Sequence, residues 1–432
     1  MIKQNAKRTK AILNSSIQQT CNNKSSYVFN SKTDFTRKRK VSFEDVLRII
    51  LSFGSKTLGA ELDNYFDWHR PFTKSAFIQQ RDKIKYSAFK NIFSLFTKEA
   101  LKKPKTYKGY RLLAVDGTDL SFQTSRKDPR SYQKKPCALM HVNAMYDLMN
   151  NVYTDAVVTS RTKAAEVKSA VEMVENCSFA SSAILIADRG YGSYHLFSHC
   201  DRNDMKYLVR IKDINSRTSI VSPFNYPDKA FDVTETLTLT RKQSLYLSSD
   251  RVYTRFIPSH SSFDYISSSE DPDYVITIRF VRFRISEDCY ETIATNLSRD
   301  EFTPEDIKKL YSLRWREETG FRQLKHIAGM YSVHSSKDNA VKQEIFACLT
   351  LFNFTSIIAV CVRIKKKYRY DMKINFRNAF DVCKAFFLAR AKSPPKNIEA
   401  LLLYDLVPVR NNRKYPRPSS VKGAKSFNYR IS

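Results

Sequence analysis

Glycine is scarce in this chain, at 9 of 432 residues, and tryptophan scarcer still, with only Trp68 and Trp315. Scarce glycine beside abundant lysine is the coding bias of an AT-rich genome, and no organism follows from it. The eight cysteines (Cys21, Cys137, Cys177, Cys200, Cys289, Cys348, Cys361 and Cys383) include no C-x-x-C pair. That argues against a zinc module and a disulfide framework, and for a reducing compartment. The seven histidines are scattered, which also argues against a zinc site. No apolar stretch follows Lys3, Lys7, Arg8 and Lys10, so no secretory signal is expected. Negative charge is in deficit too: 43 Asp and Glu stand against 73 Lys and Arg, a net charge of +30. A polyanion is the expected partner, and nucleic acid is the commonest one. Long apolar runs are lacking but for Ile345 to Val362, which is interrupted by Thr350, Asn353, Thr355 and Ser356. It is barely long enough to cross a bilayer and reads as a buried core helix, with no membrane partner.

A chain of 432 residues exceeds the usual single-core limit, so two or three domains are expected. Residues 1–40 are rich in Lys, Arg, Asn and Ser, carry only Asp34 as an acid, and read as a basic flexible arm. Residues 41–106 read as a helical DNA-binding domain, a purely structural cap being the alternative. In it Ser42 caps a helix, with Asp45 three residues on, and Thr73 caps another over Lys74 to Lys85. Phe77, Ile84, Phe89, Ile92, Phe93 and Phe96 then form an apolar stripe.

Tyr110 to Val115 is a short strand ending in Asp116-Gly-Thr. Leu139 to Leu148 and Val152 to Thr159 form a hairpin about Met149-Asn-Asn151. A helix is expected over Thr162 to Val174, then a strand, Ser182 to Ala187, ending in Asp188. Strand, hairpin, helix, strand, helix is the order of an RNase H-like core, whose first part is placed at 107–206. Ligands of such sheets gather where strands end, which is where Asp116 and Asp188 fall. Residues 207–295 alternate apolar and polar and read as a mostly antiparallel β insertion, with a Ser/Asp-rich loop around Ser259 to Asp273. The second part of the core is placed at 296–395 and a basic C-terminal tail at 396–432. The fold class is therefore α/β: an RNase H-like core interrupted by a β insertion, with an N-terminal helical domain.

The most specific string is Tyr311-Ser-Leu-Arg314-Trp-Arg-Glu-Glu318, followed seven residues on by Lys325. On one helix, steps of 3, 4 and 7 keep Tyr311, Arg314, Glu318 and Lys325 on one side. A carboxylate there can hold a divalent metal, and the phenol and cations can hold phosphate oxygens. A solvated face laced with ion pairs is the ordinary origin of such charge. Trp315, Phe321, Leu324 and Ile327 indicate instead that the helix packs.

This string, Y-x2-R-x3-E-x6-K with Trp after the Arg, resembles the signature of the cut-and-paste DDE transposases of bacterial insertion sequences, the IS-four type. The resemblance covers roughly residues 40 to 390 and implies two upstream aspartates at strand ends, which Asp116 and Asp188 supply. It implies that Asp116, Asp188 and Glu318 are catalytic and together hold two Mg²⁺ ions, with Mn²⁺ as a substitute. Two-metal phosphodiester cleavage needs such hard oxygen ligands, shared between two ions about 4 Å apart. Tyr311, Arg314 and Lys325 would contact DNA. Thr118 would brace Asp116 or bond a phosphate, Asp119 and Arg189 would orient the ligands, and His141 reads as a structural histidine. Glu317 stands where the family has an apolar residue; the spacing selects Glu318.

The implied partners are double-stranded DNA, as the element's terminal inverted repeats and its target, and a second copy of the chain in a synaptic homodimer. The implied location is the bacterial cytoplasm, at the nucleoid. A hairpin intermediate would need a stacking aromatic; neither Trp lies in the insertion, so a Tyr or Phe there would substitute. Two other classes stand beside this one: a DNA-binding descendant with catalysis lost, and an RNase H-like nuclease acting on RNA or branched DNA.

Overall fold

A computed structural model gives the architecture, describing residues 5–124, 128, 137–160, 165–287, 289–366, 368–388 and 397–409. The basic tail from Arg410 to Ser432, and the start of the helix expected at Thr162, lie outside the described residues. In chain order the elements open with helices α1 (Ala6–Asn22), α2 (Phe43–Leu51), α3 (Leu58–Tyr65), α4 (Lys74–Arg81) and α5 (Ser87–Ala100). Strands β1 (Arg111–Gln123), β2 (Cys137–Asp147) and β3 (Val152–Ser160) follow, then α6 (Glu166–Glu175), β4 (Ala183–Ala187), α7 (Tyr194–Arg202) and β5 (Lys206–Ile211). Next come β6 (Phe231–Thr240), α8 (Gln243–Ser248), β7 (Thr254–Phe256), β8 (Tyr274–Ser286) and β9 (Cys289–Thr295). The chain continues through α9 (Pro304–Ser312), α10 (Trp315–His326), α11 (Asp338–Cys361), β10 (Met372–Ile374), α12 (Phe376–Leu388), α13 (Ile398–Tyr404) and β11 (Leu406–Pro408).

Nine strands make one mixed sheet in the order β3-β2-β1-β4-β5-β9-β8-β6-β7. The two-residue period of a strand sends alternate side chains to opposite faces, and here each face meets its own core. From β1, Leu112 and Ala114 enter one core while Leu113 and Val115 enter the other; Ile184 and Ile186 of β4 oppose Leu185 and Ala187 in the same way. Helices α5, α11 and α12 contribute to the first core, α6 and α7 to the second.

Three expectations are corrected. The arm at 1–40 is not a free coil: α1 is capped by Asn5, and its Ala6, Leu13 and Ile17 are buried in the first core. Its stripe was disguised as polar because Thr9, Ser16 and Thr20 complete it, each hydroxyl bonding the carbonyl four residues back, at 2.9–3.0 Å. The insertion does not begin at 207: β5 runs parallel to β4 as a strand of the main sheet, and β9 pairs antiparallel to β5, so the inserted strands extend one sheet. The helices at 41–106 have no core of their own. They share the first core with α11, and the buried Arg81 of α4 bonds Gln343 at 2.9 Å, the Ala340 carbonyl at 2.7 Å and Glu344 at 2.9 Å.

Among the described residues one helix, α11, is long and apolar enough to span a bilayer, yet 72% of its apolar window is buried inside the protein. Its Asn353 shows why polar residues interrupt it. The amide accepts from Tyr153 N at 2.8 Å, returns a bond to Tyr153 O at 2.7 Å and reaches Thr97 at 2.9 Å. It thus completes the outer edge of β3 as a neighbouring strand would.

Candidate active site

The two aspartates are levelled by strand register. β1 and β4 pair in parallel from Arg111 beside Ala183 to Val115 beside Ala187, and the next residue of each chain is an aspartate. β4 ends there, and Asp188 opens a short 3-10 turn, Arg189–Tyr191. β1 does not end with it: paired to β2, it runs on to Gln123, so Asp116 lies within a strand beyond the reach of its β4 neighbour. The sheet splits at this point, and both carboxylates occupy the notch.

Glu318 arrives from α10, which packs over β1. The single helix expected for Tyr311 to Lys325 is in fact two. α9 stops at Ser312 and α10 starts at Trp315. Between them Leu313, Arg314, Arg316 and Glu317 donate to the carbonyl three residues back, at 2.9–3.1 Å. This tightened turn rotates the four motif residues off one face, yet Tyr311, Arg314, Glu318 and Lys325 still converge on the notch.

Tyr311 is 4% exposed, and its hydroxyl donates to Asp188 Oδ1 at 3.3 Å. Arg314, 5% exposed, lies 3.5 Å from Glu318 Oε1 and leans on the exposed Trp315 ring at 5.0 Å. Both are turned inward onto the acids. Lys325 is half-buried; burial lowers its pKa, against the pull of Asp119 and Asp116. Burial raises the pKa of Asp116; its bond from Gly117 N at 2.8 Å and the Arg314 charge oppose the rise, and Glu318 and Asp188 add to it. Asp188 and Glu318 thus both act against the charge on Asp116, in a cleft that Arg314 and Lys325 also line.

Around this centre lie further polar residues, of which Arg210, Glu291 and Glu166 were not singled out by the sequence. Arg210 of β5 stands 3.9 Å from Asp188 and 3.3 Å from Glu291 of β9. Glu317 is fully buried, and burial, then Asp116, drive its pKa well above the usual carboxylate range, against the Arg314 charge and a bond from the Asp116 backbone. Asp119 bonds His141 Nδ1 at 2.7 Å and pulls on Lys325, and His141 Nε2 lies 3.7 Å from Glu166. Gly117 is needed beside this group, since a Cβ there would sit 2.7 Å from His141 Nε2. Thr118 is buried on β1, and Arg189 is exposed on the turn after Asp188. The signal for the network was only that Glu166 opens a helix. Nor are all the histidines isolated: His195 and His199 are one turn apart on α7.

Comparison with known proteins bears on the same region. Residues 107–354 match the family model of the transposase DDE domain, which covers more than half of the chain and all of the residues in the notch. No curated protein matches the chain in sequence. Among solved structures it is similar to a piggyBac transposase, seen by cryo-EM in a synaptic complex with hairpin DNA. The identity is 11% and the TM-score 0.42, with 95% of this chain and 85% of that one covered. The acids levelled at the split sheet lie inside the matched segment, and the chain belongs to the transposase DDE domain family.

Proposed function

We propose that the chain is a cut-and-paste DNA transposase of the IS-four type, working through Asp116, Asp188 and Glu318 on an RNase H-like core. The observation that carries this is the register of β1 and β4, which sets two aspartates side by side beneath a helix that delivers a glutamate. The order β3-β2-β1-β4-β5, antiparallel then parallel, is the strand order of that core.

The residues fit a hard divalent cation. The donor set is all carboxylate oxygen; burial first, then Glu318 and Asp188, disfavour the charge on Asp116, and a cation among the three acids would favour it. What two Mg²⁺ ions held by Asp116, Asp188 and Glu318 would supply, with Mn²⁺ as a substitute, is Lewis acidity toward an attacking and a leaving oxygen. The protein's own part is positioning. Tyr311 holds Asp188 through its hydroxyl, and Arg314 holds Glu318. Lys325 sets a positive charge over the Asp116 side of the notch, suited to a phosphate. A basic recess lined by Lys32, Arg37, Arg39 and Lys83, together with the net charge of +30, supports a duplex DNA partner. A hairpin step would draw its stacking ring from a Tyr or Phe of the inserted strands. Action as a homodimer on paired terminal repeats, in the bacterial cytoplasm, completes the proposal.

The test is Mg²⁺-dependent cleavage of a labelled duplex carrying the element's own end, wild type against Glu318→Ala. Cleavage at the end that vanishes in the variant while DNA binding persists supports the proposal. Tight binding without a nick or hairpin from the wild type, in Mg²⁺ or Mn²⁺, would make the chain a DNA-binding protein only.

A further inference from the structure

His195 and His199 stand one turn apart on α7, whose first turn is capped by Ser193. That spacing puts two side chains on one helical face. Both rings are only 6% exposed, and their centroids lie 4.8 Å apart. Asp264, from the loop between β7 and β8, reaches over them, its Oδ2 3.2 Å from His199 Nε2. One ligand atom from each of the three lies within 4.8 Å of the other two, the one such trio of His, Cys, Asp or Glu among the described residues.

Two details separate this trio from ordinary buried histidines. First, His195 Nδ1 is buried without a hydrogen-bond partner, and His199 Nε2 is buried with only the Asp264 carboxylate, at 3.2 Å, beside it; an orphaned imidazole nitrogen is a cost that a folded protein rarely leaves standing. Secondly, the far nitrogen of His199 is held: Nδ1 lies 2.5 Å from Glu175 Oε1 and 3.2 Å from the Tyr265 hydroxyl. Asn203 also bonds that glutamate oxygen, at 3.0 Å. A carboxylate fixing one imidazole nitrogen as the donor leaves the other as a lone pair, the arrangement that orients histidine toward a metal.

We propose that His195, His199 and Asp264 form a binding site for a divalent transition ion of the Zn²⁺ class, separate from the oxygen-only notch. Two imidazoles and one carboxylate suit zinc, with a fourth position left for water. Ligand atoms around tetrahedral zinc stand roughly 3.3 Å apart, so the trio must draw inward, and Asp264, with 63% of its side chain exposed, is free to do so. The ion would fasten the β7–β8 loop of the inserted strands to a helix of the main sheet.

The experiment uses the full chain, stripped with EDTA and titrated with Co²⁺, then Zn²⁺, in millimolar Mg²⁺. The Glu318→Gln variant is titrated in parallel to remove the notch. We expect one equivalent of Co²⁺ per chain with the visible absorption of a tetrahedral nitrogen–oxygen site, displaced by Zn²⁺, and a melting temperature raised by Zn²⁺. Both signals should survive Glu318→Gln and weaken at least about tenfold in Asp264→Asn and His195→Gln. Asp264 is exposed, so its variant reads out the site even if a buried histidine variant folds poorly. A wild type without stoichiometric Co²⁺ absorption, or binding unchanged in Asp264→Asn, would overturn the proposal and leave Asp264 as an ion-pair partner of His199.

Discussion

Replacing Tyr311 by Phe separates two roles for this residue. The ring is 4% exposed and its hydroxyl makes one hydrogen bond, 3.3 Å to Asp188. Phe keeps the packing and removes only that donor. A hydrogen bond to a charged acceptor contributes about 1.5–3 kcal/mol. The lower end applies here, because the bond is long and Arg210 still faces Asp188 at 3.9 Å. About 1.4 kcal/mol is a factor of ten, so the Mg²⁺ concentration for half-maximal strand cleavage should rise about tenfold. The rate at saturating Mg²⁺ should stay within about twofold, since orienting partners of a ligand act chiefly through metal affinity. DNA affinity should not change, because the hydroxyl faces the aspartate. Cleavage titrated with Mg²⁺, alongside binding of the same duplex, measures both. A tenfold loss of DNA affinity with an unchanged Mg²⁺ profile would refute this reasoning and return Tyr311 to phosphate contact.

Glu317→Leu should stabilise the protein by about 1–3 kcal/mol in urea denaturation, because it removes a fully buried carboxyl whose desolvation the Asp116 backbone offsets only in part; a destabilised variant would show that the acid is satisfied. Burial works against the charge on Glu344, but Arg81 and His334 hold its pKa at about 2. A depressed carboxylate stabilises above its unfolded value and loses that contribution as pH falls through the folded one, so the urea midpoint should drop between pH 4.5 and 2. Glu344→Gln should flatten that limb while costing about 3–5 kcal/mol at neutral pH by leaving Arg81 unpaired; an unchanged acid limb would assign it to other groups. Asn353→Leu should cost about 3 kcal/mol, since it orphans the backbone of Tyr153 and the Thr97 hydroxyl. A loss below about 1 kcal/mol would mean that the edge of β3 finds other partners.

Local chemistry was legible without coordinates wherever it depended on near neighbours. The turn residues Met149-Asn-Asn151 between two apolar runs marked β2 and β3, with Asn151 taking the left-handed turn between them at φ 54°. Ser42 and Asp45 formed their reciprocal cap because both partners lie within one turn. The spacing from Tyr311 to Lys325 named the residues that meet at the notch, though not the tightened turn that divides their helix. What needed tertiary structure was everything set by partners far along the chain. The register of β1 on β4 levels two aspartates that are 72 residues apart, through ten backbone positions no local pattern encodes. α1 gains its place from a stripe whose hydroxyls look polar until their own helix satisfies them. Glu317 and Glu318 are adjacent and chemically identical, yet one is sealed in the core and the other opens on the cleft. Helical geometry turns consecutive side chains about 100° apart, and only the packing of α10 on the sheet decides which carboxylate is sealed in and which meets the cleft.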